Sequence, residues 1–193
     1  METSVYGLIL LIIFILIGSA CCSGVEAAFL AVNSIRVIEI ASRQKPKSSA
    51  NQLLKLRKHL GRTLTVITIT NNGFNIIGSL ILGVYGALVI NSNYGLTLFS
   101  IAFYILVVLV GEVLPKALGT RFSVQIALLS VPVLSILNSL MRPFLILIEQ
   151  IFPVIMAENE ISTDEEEIRQ MAKIGSQKGL IEADEAAMIF KVF

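Results

Sequence analysis

The sequence predicts an all-α fold embedded in a membrane, and three observations lead there. Of 193 residues, 55% are hydrophobic and only 15% charged, with a mean hydropathy of +0.81. Soluble domains carry about 25% charged residues. Apolar runs long enough to cross a bilayer, about 20 residues each, recur along the chain. The charges are segregated although the formal net charge is +1. Between residues 36 and 62 the bases Arg36, Arg43, Lys45, Lys47, Lys55, Arg57, Lys58 and Arg62 face Glu39 alone, and from Glu158 onward acids dominate, led by Asp164-Glu165-Glu166-Glu167. Neither block is interleaved with aromatic residues, so no nucleic-acid partner is expected; the partner that composition implies is the lipid bilayer.

Residues 5–20 are an unbroken apolar run that continues to residue 31, interrupted only by Ser23, Gly24 and Glu26. A secretory signal opens on a basic segment, which Met1-Glu2-Thr3-Ser4 lacks. The run therefore reads as a long, tilted or kinked first spanning helix. Small residues such as Gly18, Ser19, Ala20 and Ala27 fill its second half and let helices approach closely in lipid. The adjacent Cys21 and Cys22 point in different directions on a helix, so they read as packing residues and not as a disulfide.

Residues 35–61 are polar, basic and broken by Pro46, a loop with helical pieces at 37–43 and 49–59. The positive-inside rule puts this loop in the cytoplasm and the N-terminus outside. His59 within it reads as a solvated side chain. Residues 63–90 form the second span, whose first half holds Thr63, Thr65, Thr68, Thr70, Asn71, Asn72 and Asn75. Asn91-Ser92-Asn93-Tyr94-Gly95 is a tight turn, and residues 96–118 form the third span, with Glu112 inside it and Arg121 beyond it.

Residues 122–140 are apolar and about long enough to cross, but Val131-Pro132 and Arg142-Pro143 interrupt them, and 144–155 is too short to return. Crossing would leave the acidic tail outside. A re-entrant pair of half-helices keeps it in the cytoplasm, and the two prolines together with scarce flanking charge favour that pair. Residues 142–157 then form a juxtamembrane helix. Residues 158–193 form an acidic helical segment: Ser162-Thr163-Asp164-Glu165 has the look of an N-terminal cap, and Ile161, Ile168, Met171 and Ile174 recur at helical spacing. The pattern stops in mid-course at residue 193, as in a truncated chain. The expected domains are a transmembrane domain at 1–141, the juxtamembrane helix at 142–157 and the acidic segment at 158–193.

Three polar clusters interrupt the spans: Ser23-Gly24-Val25-Glu26, Asn71-Asn72 with Asn75, and Gly111-Glu112 with Pro115, Lys116 and Gly119. An ionisable group inside a span is costly and marks a functional site by default. Asn71 and Asn75, four apart, share a helix face with Thr68. If Arg62 and Arg121 mark one membrane surface, Asn71 and Glu112 both lie roughly 13 Å in, and Ser23 lies roughly 20 Å from Arg36. Pro115 has no N–H, which leaves the carbonyl of Gly111 without its helical partner and available to a cation where it lines a cavity. Apart from Lys116 the groups are hard oxygen donors, which suit magnesium, calcium or sodium over zinc or copper. The competing reading is that these side chains only hydrogen-bond neighbouring helices. For Glu112 a pair with Lys116, one turn on, also competes, and for Glu26 a pair with a loop arginine.

The three motifs, in this order and at this spacing, resemble the transmembrane domain of the CNNM/CorC (cyclin M) magnesium transporters, over essentially the whole chain. The resemblance implies three spanning helices, a re-entrant helix pair, a juxtamembrane helix, an acidic helical bundle and a homodimer in the plasma (inner) membrane. It implies magnesium export coupled to sodium entry. Members usually continue into paired CBS domains that bind ATP; this sequence stops before them, so ATP binding is not carried over. The expected magnesium ligands are the Ser23 hydroxyl, the Asn71 and Asn75 side-chain oxygens and a backbone carbonyl near Gly119. Glu112 supplies charge, and Glu26, Asn72, Gly111, Pro115 and Lys116 support the site. Sodium occupies part of the same cavity. Val25 stands where the family often has a small polar residue. A membrane scaffold or magnesium sensor is the rival reading. An intramembrane enzyme is disfavoured because no nucleophile–base pair lies in the membrane.

Overall fold

The computed structural model describes residues 2–42, 48–151 and scattered positions between 172 and 188. The chain divides into two compact units, Met1–Glu158 and Asn159–Phe193. Most of the acidic segment, and the juxtamembrane helix past residue 151, lie outside the described residues. Among the described residues there are helices and short connections and no strand.

Helix α1, Glu2–Ala31, is 30 residues long. At 1.5 Å per residue it extends about 45 Å, well beyond a hydrocarbon core of about 30 Å. Its last turn carries no basic residue of its own. The cap comes from a distance: the guanidinium of Arg57 donates to the carbonyls of Phe29 (3.5 Å) and Val32. Partial burial there pulls the Arg57 pKa down. The group stays cationic, as arginine does, and faces the negative end of the helix dipole.

Two short helices follow in the loop, α2 (Ser34–Ser42) and α3 (Ser49–Lys58). Each starts on a side-chain cap: the Asn33 amide oxygen accepts from Ile35 N–H at 2.9 Å, and the Ser48 hydroxyl accepts from Asn51 N–H at 3.4 Å. The second span is α4 (Leu60–Asn72), a π-helical turn at Gly73–Ile77, and α5 (Gly78–Val89). Ser92 caps the next helix by accepting from Gly95 N–H at 3.3 Å, so the turn is shorter than the sequence pattern suggests. The third span is α6 (Asn93–Leu106), a second π-helical stretch at Val107–Val113, and α7 (Leu114–Arg121).

Helices α8 (Ser123–Leu140) and α9 (Arg142–Ile151) complete the described bundle. The break expected at Val131-Pro132 is not there. Pro132 lies inside one continuous helix, and the chain turns at Met141, before Arg142-Pro143. By length and apolar composition, Val5–Ala31, Leu60–Val89, Asn93–Arg121 and Ser123–Leu140 could each cross a membrane. The chain is an all-α integral membrane domain.

Two apolar clusters hold the bundle. One joins Leu8 and Ile15 of α1 to Leu82, Phe103 and Val107. The other joins Phe29 and Val32 to Val37, Leu53, Ile67, Ala127, Val131 and Leu134. Helix α8 packs into the second cluster, beside the loop helices α2 and α3, and contributes no residue to the first. Along α1, the stretch between Ile15 and Phe29 is where polar groups are buried. Large apolar side chains such as Tyr6, Leu10, Phe14, Leu80, Val84 and Leu88 face outward, the surface a spanning bundle presents to lipid.

Candidate functional site

The polar layer is assembled from three spans. Ser19 and Ser23 of α1 are fully buried, and Asn71 of α4 is nearly so. The Ser19 hydroxyl lies 3.2 Å from Asn71 Oδ1 and 3.4 Å from the Gly111 carbonyl oxygen, and its one proton serves either acceptor. Asn71 Nδ2 donates to Ser23 Oγ at 3.4 Å. Asn75 Nδ2 donates to Glu112 Oε1 at 3.0 Å and to Asn71 Oδ1 at 3.5 Å. A continuous path thus runs Ser23–Asn71–Asn75–Glu112, with Ser19 tying Asn71 to the third span. Asn75 Oδ1 is buried and has no hydrogen-bond donor.

Backbone geometry positions three of these groups in an unusual way. Asn75 lies in the π turn Gly73–Ile77, and Gly111 and Glu112 lie in the π stretch Val107–Val113. A π turn is a local insertion into the α ladder that recurs at functional sites. Pro115 follows directly at the start of α7, where a missing N–H is tolerated. The Gly111 carbonyl, expected to lose its helical partner to Pro115, is the one that faces Ser19.

Glycines set the spacing of α1 against α7, the most extensive helix pair in the bundle. A Cβ on Gly119 would collide with the Gly24 carbonyl oxygen, one on Gly24 would lie 3.3 Å from the Pro115 carbonyl oxygen, and one on Gly111 would lie 3.1 Å from Ser19 Oγ. At the edge of the layer, Lys116 Nζ lies 3.8 Å from Glu26 Oε2, with side-chain exposures of 47% and 25%. Thr68 Oγ1 donates to Glu26 Oε1 at 3.3 Å.

The sequence-named residues are therefore sorted by the fold. Ser23, Asn71, Asn75 and Glu112 come together, with Gly111 beside them. Gly119 sits on the α1–α7 seam against Gly24 and Ala27, and the carbonyl seen bonded within the polar layer is that of Gly111. Asn72 is exposed and makes none of these contacts. Lys116 pairs with Glu26, in place of the pairs weighed from the sequence, Lys116 with Glu112 and Glu26 with a loop arginine. The threonines of α4 separate as well. Thr65 and Thr70 bond the carbonyls four residues back in their own helix, and Thr63 bonds the Leu56 carbonyl, so only Thr68 reaches another span. Ser19 was not singled out from the sequence. The available signal was its spacing: Ser19, Ser23 and Glu26 recur at four and then three residues on one α1 face.

Cys21 and Cys22 are free thiols. Among the described residues no three His, Cys, Asp or Glu side chains converge as a metal cluster. The layer is instead made of hydroxyls, amides, one carboxylate and a carbonyl.

Residues 10–185 match the family model described as the cyclin M transmembrane N-terminal domain. The chain is 35% identical over 183 residues to the UPF0053 protein sll1254 of Synechocystis, covering 94% of this chain and 52% of that protein. It is 24% identical over 211 residues to a protein of Haemophilus influenzae named polyamine export protein, covering 100% of this chain and 48% of that one. The chain spans about half the length of these curated relatives. With its four helices of spanning length, its buried layer of hydroxyl, amide and carboxylate groups, and a family match over most of its length, the chain belongs to the cyclin M family through that family's transmembrane N-terminal domain.

Proposed function

We propose that the buried polar layer binds magnesium in transit and that this chain is the transport domain of a magnesium exporter coupled to sodium entry. The observation that carries the reading is Asn75 Oδ1, a buried oxygen without a donor inside a network of hard oxygen groups. Such an atom is costly unless a further partner visits it. Ser23 Oγ, Asn71 Oδ1 and the Gly111 carbonyl surround the same network, and Glu112 supplies the one negative charge. Most hydrogen bonds in it are 3.4–3.5 Å long, near the limit of useful geometry, so they exchange for cation contacts at small cost. Magnesium dehydrates reluctantly and keeps several waters. A mostly neutral site with one carboxylate binds it weakly, which suits release. Sodium takes part of the same oxygen set. The reading includes a homodimer in the plasma membrane, with the basic loop of α2 and α3 in the cytoplasm by the positive-inside rule and the N-terminus outside. It assigns no enzymatic reaction, because no nucleophile–base pair lies in the layer.

The test is magnesium efflux from liposomes holding the purified protein, with spermidine as the competing substrate because one relative carries the name polyamine export protein. Glu112→Gln and Asn75→Ala are each expected to lower magnesium flux at least tenfold while the protein still elutes as a folded species. Unchanged magnesium flux in both variants overturns the site. Spermidine flux without magnesium flux overturns the substrate.

A further inference from the structure

Beside the polar layer, walled by α1, α4, α7 and α8, is a cavity of about 660 Å³ that the cation chemistry does not use. Ile126, Leu129, Val133 and Leu137 line it from one face of α8, and Leu114 and Leu118 from α7. At the rim Leu114, Leu118, Leu129 and Val133 are exposed, so the cavity opens to whatever surrounds the helices, which for a spanning bundle is lipid.

The size lies in the range of ligand sites, about 300–1,000 Å³. Water is a poor occupant, because it needs two to four polar partners and the walls are apolar almost throughout. A helix of a second copy is also a poor occupant. At a diameter of about 10 Å, only about 8 Å of helix, or five to six residues, would fill this volume. A flexible hydrocarbon chain fits both the shape and the chemistry, and it restores the dispersion contacts that an empty void forfeits.

Charge specifies the other end of the ligand. Arg121 closes α7 one turn after the wall residue Leu118 and five residues before the wall residue Ile126. It is exposed, lies 5.6 Å from the Phe122 ring centre, and makes no ion pair among the described residues. A basic group on the α7–α8 connection, between the wall residues Leu118 and Ile126, suits an anionic lipid headgroup. We propose that the cavity holds an acyl chain of one anionic phospholipid, with the lipid phosphate on Arg121. Gly24 and Pro115 belong both to the cavity wall and to the α1–α7 seam, so the bound chain braces the seam that positions Ser23. The lipid site stands whether or not the polar layer carries magnesium.

Native mass spectrometry of the protein released from nanodiscs of equimolar phosphatidylglycerol and phosphatidylcholine tests this. The wild type should retain one phosphatidylglycerol per chain, at several-fold the level of phosphatidylcholine. Arg121→Gln, a surface change, should equalise the two headgroups. Ala20→Phe, which puts a ring into the cavity from α1, should remove both lipids while helicity by circular dichroism is kept. If Ala20→Phe fails to fold, the headgroup ratio of Arg121→Gln decides alone. Equal retention of the two lipids by the wild type, or a preference that survives Arg121→Gln, overturns the proposal. So does a lipid-free dimer.

Discussion

Asn75 gives both amide protons to neighbours, Glu112 and Asn71, and is left with an acceptor that nothing fills. Ser19 works in the opposite sense, offering one proton to two acceptors on different spans. Ser19→Ala should therefore loosen Asn71 without touching Ser23. We expect a loss of about 1 kcal/mol in stability, read as a lowered thermal midpoint in detergent, with magnesium affinity several-fold weaker. An unchanged midpoint would mean that the Ser19 hydroxyl ties nothing together. Asn71, Asn75 and Glu112 were legible in the sequence because polar groups in an apolar run are conspicuous. Ser19 was not, because a serine among Gly18 and Ala20 reads equally as a small packing residue. Only the partner across the helix interface makes it a hydrogen-bonding group. Lys116 had carboxylates to choose between, and the choice of Glu26 came from how α1 and α7 pack.

Helix α1 owes its end to another element. Its terminal carbonyls have no local base, and Arg57 of α3 supplies the donors. Arg57→Ala should destabilise the folded protein by about 1 kcal/mol, because the pair is partly exposed and solvent screening reduces its worth. Arg57→Lys should recover only part of this, because both bonds come from one terminal guanidinium nitrogen, Nη1, whose planar geometry and reach an ammonium does not reproduce. Both are read from thermal midpoints. Across the seam, Gly119→Ala drives a methyl into the Gly24 carbonyl. Backbone cannot rotate aside as a side chain does, so α1 and α7 must separate. A cost of about 1–3 kcal/mol follows, together with a drop in magnesium flux; a midpoint equal to wild type would contradict the close approach. The spans themselves follow from hydropathy. The π turns at Gly73–Ile77 and Val107–Val113 do not. Inserting one residue into a helical ladder changes no composition and needs no special residue type.

For the whole bundle the open choice from the sequence was the course of residues 122–140. Helix α8 is unbroken and has spanning length, yet its buried residues pack against the end of α1 and the loop helices α2 and α3. Nothing in it joins the cluster of Leu8, Ile15, Leu82 and Phe103. Its length allows a crossing, while its packing lies at the end of the bundle that carries α2 and α3. In a background with Cys21 and Cys22 replaced by serine, single cysteines at Thr120, before α8, and at Gln150, near the end of α9, should be labelled by a membrane-impermeant maleimide from the same side if the two helices form a re-entrant pair. Labelling from opposite sides would establish that α8 crosses.

The sequence by itself determined the membrane class, the spans, the basic loop and most of the polar residues of the layer. Each of these follows from local cost: an apolar run belongs in lipid, and a polar group within it must be explained. The tertiary structure alone decided which polar groups meet. It placed Asn72 outside and Ser19 inside, paired Lys116 with Glu26, put Gly119 on the seam, and opened an apolar cavity behind that seam. Those outcomes depend on helix rotation, on π turns that reset the facing residues, and on glycine contacts that set the distance between helices. None of these is a property of a single stretch of chain.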